Sequence, residues 1–432
     1  MKTFTIKNFG CRASQADGAA IAGQLTDCGL APTPEGPADL VVLNSCTVTA
    51  AADQDLEKAV RRARRENPET RILVTGCYAQ RDPEHLAGLG GVTWVVGNSH
   101  KDRIGEILAL PLPDASYHAQ IHLSDIFERR EFFSAPIEES GEDRARPNLK
   151  IQDGCNNRCS FCIIPSVRGA SRSAEADWVL HQVRGLSERY AEIVLTGVNL
   201  GRWGREHGGG RQLVQLLRRL LDETPVRRLR LSSIEPMDWT DELIELVATS
   251  SRIARHVHAP LQSGSDAVLR RMFRKYRPRH YRDRMMRAYQ LMPDAAFGAD
   301  VMTGFPGETE AEFQESADFI ASLPFTYLHV FTYSERPGTR AAAVPDSVPW
   351  DVRKDRTRRL RELSEQKAQA FRRRLLGKTL SVVTLGGRRA VSSNFVTVDL
   401  GAPMDAQQIR PATVLGMDST GMMTVLPPIL AS

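Results

Sequence analysis

The chain has 432 residues, 41% hydrophobic and 25% charged, the proportions of a folded globular protein of two to four domains, which excludes a small stapled module, a disordered chain and a collagen-like repeat. Its 57 Lys and Arg against 52 Asp and Glu leave a net charge of only +5, too little as a total to imply a polyanionic partner. Seven cysteines are too sparse and too odd in number for a disulfide scaffold and point to thiols or metal ligands. No signal-peptide stretch and no apolar run of about 20 residues is visible, so a cytoplasmic protein with no membrane partner is expected.

From the start to residue 112, the β-branched runs TFTIKNFG, DLVVLNS, RILVTG and VTWVVGN alternate with helix-like segments, which predicts a parallel α/β domain. Cys11, Cys46 and Cys77 follow three of these runs at intervals of one strand-helix unit. Strand ends in an open parallel sheet share one crevice, so the three thiols are expected to converge there. Cys28 lies late in the first helical segment and reads as a small buried apolar residue. Residues 113–146, with PLP, SAP and EESGEDRARP, lack periodicity and read as a linker.

A second α/β array occupies 147–370, with strands predicted at NLKIQDGC, AEIVLTGVNL, RRLRLSSIEP, HVHAPLQSG, AFGADVMTGFPGE and YLHVFTYSE. Six units are fewer than the eight of a closed TIM barrel and fit a partial (β/α)6 barrel or an open sheet. Residues 371–432 change character: TLSVVTL, NFVTVDL, ATVLGMD and MMTVLPP are short runs separated by Gly, Asp and Ser, as in a small all-β barrel.

The strongest local signal is QDGCNNRCSFCIIPSVRG, where Cys155, Cys159 and Cys162 form CxxxCxxC on the loop after a strand. Three thiolates on a four-iron cluster leave one iron open to bind a substrate. The competing reading is structural zinc in a non-catalytic RNA-binding protein, but zinc takes four ligands and no fourth Cys or His lies nearby in sequence.

CxxxCxxC opening a six-unit α/β array resembles the radical S-adenosylmethionine (SAM) enzymes. NSCTVTAAAD, TGCYAQ, LTGVNLG, LSSIEP, HAPLQSGSDAVLRRMFRKY, ADVMTGFPGETEAEF and VFTYSERPGT extend the likeness to their methylthiotransferases, most of all the branch acting on N6-threonylcarbamoyladenosine in tRNA. The resemblance implies an N-terminal methylthiotransferase domain, a radical SAM core and a C-terminal TRAM barrel. It implies SAM on the open iron of a [4Fe-4S] cluster held by Cys155, Cys159 and Cys162, and a second [4Fe-4S] cluster on Cys11, Cys46 and Cys77. One SAM would supply a 5′-deoxyadenosyl radical and a second the methyl group, for methylthio insertion at C2 of adenosine 37. The electron donor would be a flavodoxin or ferredoxin; the sulfur donor stays open. Isopentenyladenosine 37 and a ribosomal-protein side chain are the alternative targets.

The same resemblance points to Thr196, Gly197, Glu235, Gln262 with Ser263, and Gly304 with Pro306 and Gly307 as the SAM site. Ser14, in CRASQ, and Ser166 depart from the family pattern and bear on the fine fit of the cofactors. His256 and His258 alternate along a strand and are expected to send at most one ring into the pocket, a satisfied core histidine being the reading for both. For RNA, Arg270–Arg287 carries a net +8 and Asp351–Lys378 a net +7. Arg274, Lys275, Arg388 and Arg389 are the expected phosphate contacts, with Phe273, Tyr276 and Tyr281 as stacking faces.

Overall fold

The computed structural model describes residues 1–33, 38–111, 119–129, 131–133, 145–208, 212–418 and 421–425. The N-terminal sheet holds β1 (Thr3–Asn8), β2 (Ala31–Pro32), β3 (Leu40–Ser45), β4 (Arg71–Gly76), β5 (Val92–Gly97) and β6 (Gln120–His122), parallel in the order β2-β1-β3-β4-β5-β6. β3 is buried along its whole length, because each of its faces carries a core and an apolar run suits both. Leu56, Val60 and Ala63 of helix Ala50–Glu66 pack with Val41 and Leu43 on one side. Ile21 and Leu25 of helix Arg12–Asp27 pack with Phe4, Val42 and Trp94 on the other.

The span 113–146, read as a linker, contributes β6, which pairs in parallel with β5. Three residues on a sheet edge are too few to leave a periodic trace. Of the charged stretch read there, residues 138–144 lie outside the described residues.

Next come β7 (Asn148–Asp153), β8 (Arg172–Ser173), β9 (Ile193–Gly197), β10 (Leu229–Leu231), β11 (His256–His258), β12 (Ala296–Thr303) and β13 (Tyr327–Thr332). They form two sheets, β10-β9-β7-β8 and β11-β12-β13. Backbone bonds from Ala254 to Leu229 and from Ile234 to His258 join them edge to edge. The six parallel strands therefore curve as a partial barrel in the order β7-β9-β10-β11-β12-β13. Leu149, Ile151, Leu229, Leu231, Val257, Phe297 and Ala299 face out into one large core with the surrounding helices. The alternate residues, buried Lys150, Gln152, Arg230, His256 and His258 with half-buried Asp300, face the concave side, which is unusually polar for an interior surface.

Helix Trp350–Arg374 leads into a closed five-stranded barrel: β14 (Thr379–Thr384), β15 (Gly387–Ser392), β16 (Thr397–Met404), β17 (Ile409–Met417) and β18 (Met423–Val425). Phe371 and Leu375 plug its core. β15 escapes the sequence pattern because its first three residues, Gly387, Arg388 and Arg389, are exposed and read as a turn. The last residues of the MMTVLPP run lie outside the described residues. This barrel closes the floor of the partial one: Arg230 donates to the Ser392 and Ser393 carbonyls at 2.9 and 3.1 Å, and the Phe395 ring stacks on His256 at 4.5 Å. Phe395 holds a left-handed φ of 62°, a strained conformation for a bulky residue, retained where the contacts around it dictate it.

Candidate active site

The CxxxCxxC loop leaves β7 through Gly154, whose φ of +68° and contact with the Ala170 carbonyl leave no room for a side chain. The Cys155 amide donates to Gly169 O at 3.1 Å and the Cys162 amide to Cys159 O at 3.1 Å, so the loop closes on itself. Cys155 Sγ accepts from the Asn157 amide at 3.4 Å and lies 3.8 Å from Asn199 Nδ2. Cys159 Sγ accepts from Arg274 Nη1 at 3.1 Å. Burial pushes the Cys155 thiol up and that of Cys162 up to about 12, with the neighbouring cysteines adding to both shifts. Iron binding must displace those protons, so metal binding here is coupled to proton release.

The second trio assembles from three strand ends. Cys11 caps helix Arg12–Asp27, Cys46 follows β3, and Cys77 opens helix Cys77–Arg81 after β4. Gly10, at φ +94°, is so close to Cys46 that a Cβ there would sit 2.6 Å from its Sγ. Burial, then the charges of Cys77 and Cys11, push the Cys46 thiol up to about 12, so the three sulfurs feel one another. Among the described residues neither trio has all its sulfurs within 4.8 Å of one another. That is wider than the roughly 4 Å spacing expected of thiolates around one tetrahedral zinc. Two open, three-sulfur sites fit clusters better than single ions.

A buried charge network joins the two trios. Arg168, just past the loop, donates to Asp153 at 2.8 Å and to Asp17 of helix Arg12–Asp27 at 2.9 Å. Asp17 also takes Lys101 at 2.9 Å and Lys150, and Lys150 reaches Asp153 at 2.9 Å. Burial alone would raise the Asp17 carboxyl, but the three cations outweigh it and hold it far below the carboxylate range. Burial likewise opposes the charge of Arg168, yet Asp153, Cys77, Asp17 and Cys11 together hold its pKa well above the usual value. Cys77 packs on Ile163 and Val167 of the cysteine loop, and Asn98 Nδ2 spans Val167 O at 2.8 Å and Cys77 Sγ at 3.6 Å. Ser14, one of the departures from the family pattern, lies 3.8 Å from Cys11 Sγ and 3.5 Å from Arg168 Nη2.

Thr196 and Gly197 end β9, Glu235 follows β10, Gln262 and Ser263 follow β11, and Gly304 follows β12. All share the rim that carries the cysteine loop, the face where such folds place chemistry. Thr196 is buried; a Cβ on Gly197 would lie 2.9 Å from Gln152 Cβ, and Gln152 Oε1 accepts from the Asn199 amide at 2.6 Å. Glu235 is half-buried and held by Arg274. Gln262 adopts φ 65° and its carbonyl accepts from Met302 at 2.8 Å; Gly304, at φ +71°, donates to Glu308 at 2.7 Å.

Arg274 requires a correction: it is not a phosphate contact but a buried neighbour of Cys159, Glu235 and Tyr276. Tyr276 and Tyr281 are fully buried, donating to backbone carbonyls, and offer no stacking face; Phe273 is exposed beneath Arg340. The basic patch shrinks too, because Arg270, Arg271, Arg284 and Arg287 all pair with carboxylates. Arg388 is paired bidentately with Asp399, while Lys275 and Arg389 are exposed. Cys28 is exposed rather than buried. His256 and His258, being two apart, lie on the same strand face, and both contact the Tyr327 hydroxyl, at 2.7 and 2.8 Å. His258, Asp300 and His329 form a further cluster there, with ligand atoms within 4.8 Å of one another.

Residues 149–320 match the Radical SAM superfamily and residues 3–97 the uncharacterized protein family UPF0004. The chain is 35% identical, over 91% of its length and 95% of the relative's, to the threonylcarbamoyladenosine tRNA methylthiotransferase MtaB of Aquifex aeolicus. It belongs to the radical SAM tRNA methylthiotransferases. A further member, the tRNA-2-methylthio-N(6)-dimethylallyladenosine synthase of Acidothermus cellulolyticus, is 36% identical over 89% of this chain and 78% of its own. In fold, the methyltransferase TsrM of Kitasatospora setae, solved with cobalamin and a [4Fe-4S] cluster, superposes with a TM-score of 0.56 at 15% identity, covering 79% of this chain and 77% of that one. The protein is thus a transferase whose cofactors are SAM and [4Fe-4S] clusters, two in the methylthiotransferases. Among the described residues no helix is long and apolar enough to cross a membrane.

Proposed function

We propose that this methylthiotransferase inserts a methylthio group at C2 of N6-threonylcarbamoyladenosine 37 in tRNA, one SAM serving as radical source and a second as methyl donor. The observation that carries the reading is the buried junction of the two cysteine trios through Asn98, Arg168 and Asp17, which brings two sulfur-rich centres together across the domain boundary. Cys155, Cys159 and Cys162 hold the cluster that binds SAM; Cys11, Cys46 and Cys77 hold the other. When bound, the first cluster and SAM supply the radical chemistry. The chain's own residues do the rest: Arg274 neutralises Cys159, Glu235 and the rim backbone orient SAM, and Arg168 balances the thiolate charge of the N-terminal trio.

The choice of substrate rests on relatives. The threonylcarbamoyladenosine enzyme aligns along 95% of its own length, the dimethylallyladenosine enzyme along 78%, at nearly equal identity. Electrons come from a flavodoxin- or ferredoxin-type carrier, and the enzyme works in the cytoplasm on tRNA. The domains are 1–112, to which β6 of the connecting span 113–146 adds an edge strand, the core 147–370 and the barrel 371–432. The test is mass spectrometry of tRNA nucleosides from a strain lacking the gene, with and without complementation. Loss and recovery of 2-methylthio-N6-threonylcarbamoyladenosine is the expected outcome; loss of the isopentenyl analogue alone would overturn the substrate.

A further inference from the structure

The concave floor of the partial barrel holds more positive charge than its carboxylates balance. Glu192 is shared by Arg146 at 3.1 Å, Arg230 at 2.7 Å and Arg228 at 3.6 Å. Arg12 joins them from the N-terminal domain, with its guanidinium 5.9 Å from the Phe395 ring centre and within electrostatic reach of Tyr327, Arg146, Arg230 and Glu192. Its Nη1 is buried and makes no hydrogen bond. The other nearby carboxylate, Asp300, is already held between His258 at 3.2 Å and His329 at 3.1 Å. Four guanidinium groups thus face one carboxylate, in a site where a buried cation left without an anion is costly.

Arg12 also directly follows Cys11, so its side chain reaches into the barrel from the chain segment that holds one of the sulfur-site thiols. A nucleobase brought to chemistry in such a cavity enters by leaving its stack, while the phosphates stay with the backbone at the mouth. Apart from the carboxylate of SAM, which the cluster on Cys155, Cys159 and Cys162 would hold, an anion that travels into the barrel must therefore be carried on the base itself.

We infer that Arg12 binds the carboxylate of the threonylcarbamoyl group and so selects an N6-substituent bearing a negative charge over an apolar one. This deepens the proposed function and rests on it. Phe395 and Tyr327 wall the guanidinium, and the surplus charge of Arg146, Arg228 and Arg230 adds attraction for an anion entering the barrel.

The test uses the reconstituted holoenzyme and two anticodon stem-loop RNAs, one with the natural modified adenosine at position 37 and one with its threonine carboxylate converted to the primary amide. Both carry the same phosphates, so any difference between them belongs to the carboxylate. Wild type is expected to prefer the carboxylate RNA at least tenfold in kcat/KM, R12K to keep most of that preference, and R12Q to bring the ratio close to one. Equal use of both RNAs by wild type, or an R12Q ratio matching wild type at equal iron content, overturns the inference. If R12Q loads less iron it is read in the same way, because the ratio between two RNAs on one preparation cancels the fraction of loaded enzyme. No product from either RNA with wild type would instead bring down the substrate reading, and this inference with it.

Discussion

The two cysteine sites reach the same composition, three thiols each, by opposite routes. Cys155, Cys159 and Cys162 sit within eight residues on one loop, half-buried and closed by that loop's own backbone bonds. Cys11, Cys46 and Cys77 come from three strand ends, two of them buried, and exist as a site only when the sheet is formed and the helix Arg12–Asp27 is anchored to β7. A local site tolerates changes elsewhere in the fold; a convergent one depends on its scaffold. The charges differ in the same way. One cation, Arg274, attends Cys159, whereas the convergent trio leans on a five-membered network spanning two domains.

Removing ligands separates the two most sharply. Cys155→Ala should abolish both 5′-deoxyadenosine formation and product, and Cys46→Ala should keep 5′-deoxyadenosine formation while stopping methylthio insertion. Iron in each should fall from about eight to about four per chain, measured after anaerobic reconstitution. Full product from Cys46→Ala would dissolve the distinction between the sites. Asp17→Asn strands Lys101 in the interior and leaves Lys150 and Arg168 to share Asp153 alone, and a loss of about 3–5 kcal/mol is expected in denaturant unfolding. Gly10→Ala, forced to φ +94° and against Cys46, should cost about 1–3 kcal/mol and deplete the N-terminal iron while sparing SAM cleavage. Arg274→Ala should do the converse, weakening iron retention at the loop trio by about 10- to 100-fold in a chelator competition. The smallest effect belongs to Arg389→Glu: a few-fold weaker tRNA binding, with a salt slope shallower by about one.

What the sequence discloses follows the same division. CxxxCxxC is legible because its ligands are neighbours, and the strands before Cys46 and Cys77 are legible because both sheet faces are covered and their centres, Leu40 to Leu43 and Ile72 to Val74, are apolar. Arg274 misleads because its eight basic companions suggest a solvated face, and only the tertiary structure turns it inward to Cys159. Asp17, Lys101, Lys150 and Arg168 are scattered over 152 positions, each ordinary by itself, and no periodicity marks them as one network. Arg12 and Phe395 lie at opposite ends of the chain, and their meeting depends on how three folded units dock.

The Asp17 network also bears on the order in which the chain is made. Asp17 finds Lys101 within its own domain, but Lys150 and Arg168 belong to sequence that leaves the ribosome later. An N-terminal domain that folds first on emergence therefore does so with its buried carboxylate only partly neutralised and with Cys77 uncovered by Val167. The cluster proposed for Cys11, Cys46 and Cys77 would therefore be delivered late, after the core that completes its surroundings has been synthesised.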